Sequence, residues 1–384
     1  MAITTAVVIA NAYYIHPIIA EVARDFGVSN ARIGLVPALN QVALAIGIFL
    51  LLPLGDRFSN RTLSILFVAL QTLAILVMTV ADTFWPFTIA STVLGFVTIT
   101  PYLLPAFASK RVAPERLGEV TALLTAGVVF GILVARVGAG VVAEHFGWKA
   151  VYYIASATMI AAALALPRIL PRDGSVKRAS TQSYAALIGS IFTIANAHRE
   201  VLLSAAIQAL NFAAFIATWL ALALYLTSPE MGYGVDTVGY LAGVSAVSVL
   251  TTPRLGRLAD RIGPRRARIV FALVQAIGVV LLYPLSGSAW ALAIPLVIVA
   301  AVGPSIDVTG RTLFLSLPAD LRTRLTTIYV VIMFIGGGVG SILGTAVYDA
   351  GGWEATCIFL GMAMAGVILL SITGLRAFTS PSAE

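Results

Sequence analysis

The chain has 384 residues, of which 59% are hydrophobic and only 11% are charged. Soluble domains carry about 25% charged residues, so this composition excludes an ordinary soluble protein and indicates a helical membrane protein. The net charge of +7 does not indicate nucleic-acid binding, because the basic residues lie in short stretches between apolar runs.

Apolar runs of roughly 20 residues predict an all-α membrane protein with twelve transmembrane helices. The predicted spans are approximately 3–25, 31–53, 63–81, 85–107, 117–143, 148–167, 201–227, 235–254, 269–287, 290–312, 325–349 and 355–376. With a cytoplasmic N-terminus, 20 of the 24 lysines and arginines fall on the cytoplasmic side, all except Arg24, Arg32, Lys149 and Arg136. This asymmetry predicts an even number of spans and cytoplasmic positions for both termini.

Tryptophan positions agree with this topology. Trp85, Trp148, Trp290 and Trp353 each fall at or just before the start of an even-numbered span, which places all four at the outer interface, where aromatic belts occur. Trp219 alone lies inside a span.

The first five spans contain the polar and proline-rich positions that a lipid-facing helix would lack. Span one carries Asn11, Tyr14, His16 and Glu21, and Pro17 is expected to kink it. Gln41 in span two and Tyr102 in span four, between two prolines, are further polar positions. Span five combines glycines at four-residue spacing with Arg136, and those glycines fit either close helix packing or a gating role.

Residues 168–200 are polar and rich in turn residues, so they are predicted to form a cytoplasmic linker between two halves, 1–167 and 201–384. Within this linker, residues 184–195 can form a short helix lying in the membrane interface.

The second half repeats the first. The turn at 52–61 has a counterpart at 256–266, with Asp56 and Asp260 separated by 204 positions. Trp148 and Trp353, each in a Gly-Trp-X-Ala sequence, are separated by 205. Such a repeat predicts two six-helix bundles related by an axis along the membrane normal, with a substrate site between them at the midplane.

On these two turns and this repeat, the chain resembles the major facilitator superfamily over essentially its full length. Span five is similar to the antiporter motif of that family at Gly127 and Gly131. It departs from the motif at Ile132, where proline is usual, and at Ala135 and Arg136, where glycines are usual. The likeness extends to bacterial drug:proton antiporters and sugar-efflux proteins, and it implies a multi-pass protein of the cytoplasmic (inner) membrane.

The resemblance implies alternating access, in which the two halves rock about a central site. It also implies that the two turns latch the state that is closed on the cytoplasmic side. The residues carried over to that latch are Asp56, Arg57, Arg61, Asp260, Arg261 and Arg265.

Few ionisable residues lie within the spans, and these are the candidates for proton coupling: His16, Glu21, Arg136 and Asp307. Arg136 is expected either to pair with Glu21 or to face His16. A Glu21 pair would serve as a coupling switch or as a permanent structural ion pair, and His16 would carry a proton or form part of the cavity wall. Asp307 and Arg311, four residues apart, can pair on one helix face.

Substrate contacts are expected from polar and aromatic residues of the cavity-lining spans. In span seven, Gln208, Asn211, Phe215 and Trp219 form one stripe that suits a sugar or an amphipathic drug. The complete predicted set is Asn11, Tyr14, His16, Gln41, Tyr102, Gln208, Asn211, Phe215 and Trp219.

The leading functional hypothesis is a proton-coupled exporter of small organic molecules such as drugs or metabolites. An uptake symporter or facilitator for a sugar or metabolite is the alternative, and a receptor on a transporter scaffold is a hypothesis from another class. No metal-spaced His/Cys cluster, phosphate loop or nucleophile–base pair is present in the sequence, so no cofactor and no enzymatic activity are expected. The expected partners are the substrate, protons and lipids, and the expected state is a monomer.

Overall fold

The computed structural model describes residues 1–109, 117–170, 184–315 and 317–379, and the described residues form helices and short connections without strands. The helices are α1 (Ala2–Ala10), α2 (Ile15–Asp25), α3 (Asn30–Ile33), α4 (Leu35–Leu51), α5 (Asn60–Val80), α6 (Phe84–Val97), α7 (Thr100–Ser109), α8 (Leu117–Phe146), α9 (Trp148–Ile169), α10 (Tyr184–Ala197), α11 (Arg199–Leu226), α12 (Val235–Gly243), α13 (Val247–Ile262), α14 (Pro264–Leu281), α15 (Ala289–Leu315) and α16 (Ala319–Thr379). Residues 171–183 of the predicted linker, including Arg172 and the Lys177-Arg178 pair, lie outside the described residues, as do Lys110, Arg111 and Arg116.

Among the described residues, ten helical stretches are long and apolar enough to cross a membrane. Two features of the helices explain why ten candidates are found where the sequence predicts twelve spans. The predicted ninth span coincides with α14, whose first turns carry Arg265, Arg266 and Arg268. The predicted eleventh and twelfth spans are both within α16, which loses helical backbone geometry at Gly351 and Gly352.

The surface is that of a protein solvated by lipid. Large apolar side chains in the middle of long helices are exposed, among them Leu73, Phe130 and Ile277. Polar side chains are buried instead, including Gln71 and Gln275. Because a bilayer core offers no hydrogen bonds, polar groups are satisfied only inside the bundle.

Two of the predicted helices are broken, and the prolines explain where. The first span divides at residues 11–14, because Pro17 cannot donate the hydrogen bond that Tyr13 would accept in a continuous helix. The fourth span divides at Thr98 and Ile99, because Pro101 has no N–H to donate to the Val97 carbonyl in a continuous helix. Both breaks lie beside the centre of the bundle.

Glycines bring two pairs of helices into backbone contact in the same way in each half. A Cβ added at Gly131 of α8 would lie 2.4 Å from the carbonyl oxygen of Ala6 in α1. In the second half, a Cβ added at Gly340 of α16 would lie 2.3 Å from the carbonyl oxygen of Ala213 in α11. These glycines therefore serve close packing within each half.

In both halves a glycine with positive φ interrupts the helical backbone. Gly147 (φ 78°) separates α8 from α9, and Gly352 (φ 63°) interrupts α16, each directly before a tryptophan. Such φ values favour glycine, which explains why both Gly-Trp sequences mark the same kind of helix junction.

The two halves meet tightly at one end of the bundle, called here the tryptophan end because Trp148 and Trp353 lie there. The Ser341 hydroxyl donates a hydrogen bond to the Gly34 carbonyl at 2.8 Å, which joins α16 to the start of α4. On the other side of the bundle, α8 and α12 touch through Gly140 and Gly239, whose added Cβ atoms would lie 2.9 and 3.3 Å from each other's Cα. The tryptophan end is therefore closed.

The opposite end, called here the arginine end because Arg61, Arg257 and Arg265 lie there, is built differently. Helix α13, which continues α12 toward this end, packs mainly on α14 and α15 of its own half. Only Ala259 of α13 is buried. The contact between α8 and α12 at the tryptophan end thus has no equivalent along α13.

Candidate functional site

The centre of the bundle holds a buried arginine in contact with a buried histidine. Arg136 in α8 is 2% exposed and His16 in α2 is 1% exposed. Nη2 of Arg136 lies 3.0 Å from Nδ1 of His16. A guanidinium can only donate, so Nδ1 must be the acceptor and carries no proton in this contact.

Three aromatic rings surround the same guanidinium. Its central carbon lies 5.4 Å from the ring centroid of Tyr13, 4.7 Å from that of Phe215 and 5.0 Å from that of Trp219. Tyr13 belongs to the first half, whereas Phe215 and Trp219 belong to α11 of the second. Each desolvated cation–π contact contributes about 0.5–2 kcal/mol, so together they offset much of the ~2.5 kcal/mol or more that an arginine costs at mid-membrane.

Within the part of the chain that the structure describes, no carboxylate pairs with Arg136. Of the two arrangements expected from the sequence, the structure has Arg136 facing His16, and the expected pair with Glu21 is absent. Glu21 lies five positions after His16, which in a helix is an advance of about 7.5 Å and a rotation of about 140°. Glu21 therefore points elsewhere, toward Arg24 and Glu144, and its buried Oε2 has no hydrogen-bond partner.

A closed cleft borders this contact. About 150 Å³ of empty space lies between the two halves, in gaps too narrow for a water molecule. The lining residues are His16, Pro17, Arg136, Trp219, Val238 and Ala242. The predicted span-one and span-seven residues thus meet across the interface, but a substrate can enter only if the halves separate.

Amide side chains form a hydrogen-bonded cluster in the second half. Asn211 donates to Oε1 of Gln208 and to the Gly303 carbonyl, both at 3.3 Å. Gln275 in α14 donates to Oδ1 of Asn211 at 2.9 Å. Asn211 and Gln208, predicted to bind substrate, are therefore tied into this cluster in the closed structure.

Gln275 was missed by the sequence reasoning, although a signal for it existed. It lies 204 positions after Gln71, the offset of the two turns. Gln71 is also fully buried and donates to the Val8 carbonyl at 2.9 Å and to Thr98 at 3.1 Å. Each half thus places one glutamine against the middle of its first helix.

The remaining predicted substrate residues lie on the inner faces of the first half. Gln41 is fully buried, and its side chain lies beside that of Tyr13. Asn11 is 4% exposed, and its Oδ1 has no hydrogen-bond partner among the described residues. Tyr14 and Tyr102 are partly buried, and Tyr102 lies near Tyr13 of its own half.

Asp307 and Arg311 form an ion pair within α15. Both carboxylate oxygens of Asp307 accept hydrogen bonds from Nε of Arg311, at 3.0 and 2.9 Å. The Arg311 guanidinium also lies 5.1 Å from the Tyr329 ring. Asp307, predicted as a coupling residue, is thus already neutralised by a neighbour on its own helix.

Three basic residues of the two turns contact residues of the predicted linker. Arg61 donates to the carbonyls of Pro167 and Leu170 at 2.8 Å and so caps the C-terminal end of α9. Arg265 binds Glu200 at the start of α11 through two hydrogen bonds, of 2.5 and 2.8 Å. The Arg57 guanidinium faces the Tyr184 ring at 5.9 Å.

The expected latch is not formed in this conformation. Asp260 and Arg261 are exposed, and Asp260 makes no ion pair with any residue in the described ranges. The Asp56 side chain lies outside the described part of the structure. In this conformation Arg265 is bound by both carboxylate oxygens of Glu200, and the latch expected for the state that is closed on the cytoplasmic side stays a prediction.

A second buried arginine was also missed. Arg268 in α14 is 2% exposed and donates to the Ser204 hydroxyl at 2.9 Å. The carboxylate of Glu200 is close enough to interact electrostatically with Arg268, whereas Arg136 has no such carboxylate among the described residues. Its place three residues after Arg265 in an otherwise apolar helix was the available signal.

Comparison with known proteins gives a consistent result. The sequence profile of the Major Facilitator Superfamily matches residues 1–313 and 201–383. The chain is 28% identical over 358 residues to the uncharacterized transporter YgaY of Escherichia coli O157:H7, covering 93% of this chain and 90% of that one. It is 24% identical over 332 residues to the multidrug resistance protein MdtG of Salmonella typhi, covering 82% and 78%.

The fold is similar to that of solved transporters. A mutant form of the nucleoside transporter NupG superposes with a TM-score of 0.76 at 13% identity, covering 98% of each chain. At this identity the likeness concerns the fold alone.

Proposed function

The chain belongs to the Major Facilitator Superfamily, and on that premise we propose that it exports a small organic molecule in exchange for protons by alternating access. As a member of this family it is a multi-pass transporter of the bacterial inner membrane. Its substrate class, its direction and its coupling to protons are the proposed parts.

The observation that carries the proposal is the buried site formed jointly by both halves. Arg136 and His16 come from the first half, and Phe215 and Trp219 from the second. A polar site of this kind, closed at the tryptophan end, is what an alternating-access carrier requires between its bundles.

The proposed architecture has twelve spans in two six-helix bundles, 1–167 and 201–384, joined by the linker 168–200, with both termini cytoplasmic. Treating α14 as a span, and α16 as two spans divided at Gly351 and Gly352, brings the ten candidates to twelve. The matching glycine contacts of the two halves support this arrangement. With this orientation, the tryptophan end faces the periplasm.

Proton coupling follows from the contact between Arg136 and His16. Nδ1 of His16 accepts from the guanidinium only while it carries no proton. Protonation of His16 would place two cations within about 3 Å of each other and break the contact. Arg136 would then lose one of the groups that stabilise it in the buried position. His16 is therefore the leading proton carrier, Glu21 is the second, and Asp307 is third because Arg311 already neutralises it.

We favour efflux over uptake because one relative, MdtG, is described as a multidrug resistance protein. The nucleoside transporter with the similar fold is the corresponding support for the alternative, an uptake symporter or facilitator for a metabolite. For either direction, the proposed substrate contacts are Asn11, Tyr14, His16, Gln41, Tyr102, Gln208, Asn211, Phe215 and Trp219.

The test uses purified full-length protein in liposomes that contain a pH-sensitive dye, with an imposed pH gradient. Drugs, sugars, nucleosides and organic acids are added in turn, and a substrate-dependent proton flux opposite to substrate movement is expected. Protein-free liposomes control for leak. Transport without proton movement would support a facilitator, and proton flux that survives substitution of His16, Glu21 and Asp307 would refute the coupling assignment.

A further inference from the structure

The guanidinium of Arg136 is a buried cation without an anion. Its Nη2 contacts neutral His16, and its buried Nε has no hydrogen-bond partner. The side chain is 2% exposed, and no carboxylate of the described residues lies within ion-pairing distance. An arginine stays protonated in proteins, so this charge persists while the group is buried.

Three other arginines of the bundle have acidic residues close to them. Arg311 has Asp307 on its own helix, and Arg265 has Glu200. Arg268, equally buried, has Glu200 among its electrostatic neighbours. Arg136 therefore differs from these three arginines, and the difference is confined to the central cleft.

The position of Arg136 also suits a transported ligand. It lies ten residues from Phe146, the last residue of α8, and so about 15 Å along the helix from the tryptophan end. It borders the cleft between the halves, with Val238 and Ala242 of the second half opposite. Separation of the halves would remove Phe215 and Trp219 from the guanidinium and leave it facing the opening.

We propose that Arg136 binds an anionic group of the transported molecule, so that the substrates of this protein are organic anions. This inference rests on the proposed transport function. When the site opens, the planar guanidinium offers parallel N–H donors to a carboxylate or a similar oxyanion. The rings of Tyr13, Phe215 and Trp219 supply flat apolar surface for the rest of the molecule.

The first test is ligand-dependent thermal unfolding of the full-length protein in detergent at constant ionic strength. The probes are benzoate, benzamide and benzylamine, which share a ring and differ in charge, with chloride as the inorganic anion. Benzoate alone is expected to raise the unfolding temperature. Arg136→Gln should weaken benzoate binding about tenfold or more, because it removes a charge-assisted hydrogen bond, whereas Arg268→Gln, which removes a buried arginine elsewhere, should retain the response.

A second measurement keeps Arg136 intact, in case its substitution prevents folding. Because Trp219 contacts the guanidinium, benzoate should change the tryptophan fluorescence of the unaltered protein, and Trp219→Phe should abolish that change. The proposal is overturned if benzoate gives no effect in either measurement, if Arg136→Gln responds like the unaltered protein, or if chloride, benzamide or benzylamine acts equally well.

The two proposals fail in different ways. Proton-driven transport of a neutral or cationic compound that survives Arg136→Gln would overturn the anion site and leave the exporter proposal standing. Movement of benzoate and protons in the same direction would refute exchange and leave the anion site intact.

Discussion

A methyl group at Gly140 should open the tryptophan end. Gly140 of α8 lies against α12 of the other half, and an added Cβ would lie 2.7 Å from the Val235 carbonyl oxygen and 2.9 Å from the Cα of Gly239. Ordinary contacts of this kind are about 3.4–4 Å, and both opposing atoms are backbone, so they cannot rotate away. The two helices must separate, or the closed state must bear the overlap.

The size of the effect follows from overpacking. Forcing a methyl group into such a contact costs about 1–3 kcal/mol. Alanine also has a higher helix propensity than glycine, but α8 is helical in both the closed and the open form, so this gain does not change the equilibrium between them. The equilibrium between closed and open forms should therefore shift by about 5- to 150-fold toward the open form.

The assay follows the reaction of one cysteine with a polar thiol reagent in purified protein. Cys357 is first replaced by serine, and Ala242→Cys is introduced, since Ala242 is 1% exposed and lines the central cleft. When opening is fast relative to labelling, the labelling rate reports the open population. Gly140→Ala should raise that rate by the factor above.

Gly138 provides the matched control, because it lies on the same helix and an added Cβ there would meet nothing within 4 Å. Gly138→Ala should leave the labelling rate within about twofold of the parent, since nothing opposes its methyl group. Equal acceleration by both substitutions, or by neither, would refute the reasoning.

Three further predictions concern the packing and the arginine end. Gly340→Ala should lower the unfolding temperature in every conformation, because its Cβ would overlap a backbone carbonyl of the same half, at a cost of about 1–3 kcal/mol, whereas Gly361→Ala meets nothing and should not. Glu200→Gln should destabilise the protein by about 1 kcal/mol through loss of a two-bond ion pair that is only partly exposed, and Asp82→Asn, which breaks an exposed pair, should have no measurable effect in the same thermal scan. Asp260→Asn should leave the closed tryptophan end unchanged in the cysteine assay or stabilise it further, because this carboxylate makes no ion pair in the closed state with the residues described; increased labelling would show that it supports closure after all.

The apolar pattern predicts most of the fold. The break of the first span near Pro17 and the repeat between Trp148 and Trp353 were both readable from residue type and spacing, because proline and bilayer thickness impose local constraints. Glycine spacing left packing and gating equally open. Only the backbone contacts of Gly131 and Gly340 assign these two to packing within a half.

The site was harder to predict, because partners there depend on helix rotation. His16 and Glu21 lie on one short helix, and only the break before α2 decides which of them faces Arg136. Likewise Arg265 lies nearer to Asp260 in sequence than to Glu200, yet the start of α11 brings Glu200 within reach. Sequence indicates which residues carry charge inside the bundle, whereas helix orientation selects their partners.

The central claim, that two halves rock about the site at Arg136, is tested most directly by measuring distances at both ends of one protein. Spin labels at Phe146 and Glu230 report the tryptophan end, and labels at Arg168 and Arg257 report the arginine end; all four positions are exposed. Alternating access predicts that Gly140→Ala lengthens the first distance and shortens the second. Lengthening at both ends, or a change at the tryptophan end alone, would contradict the account.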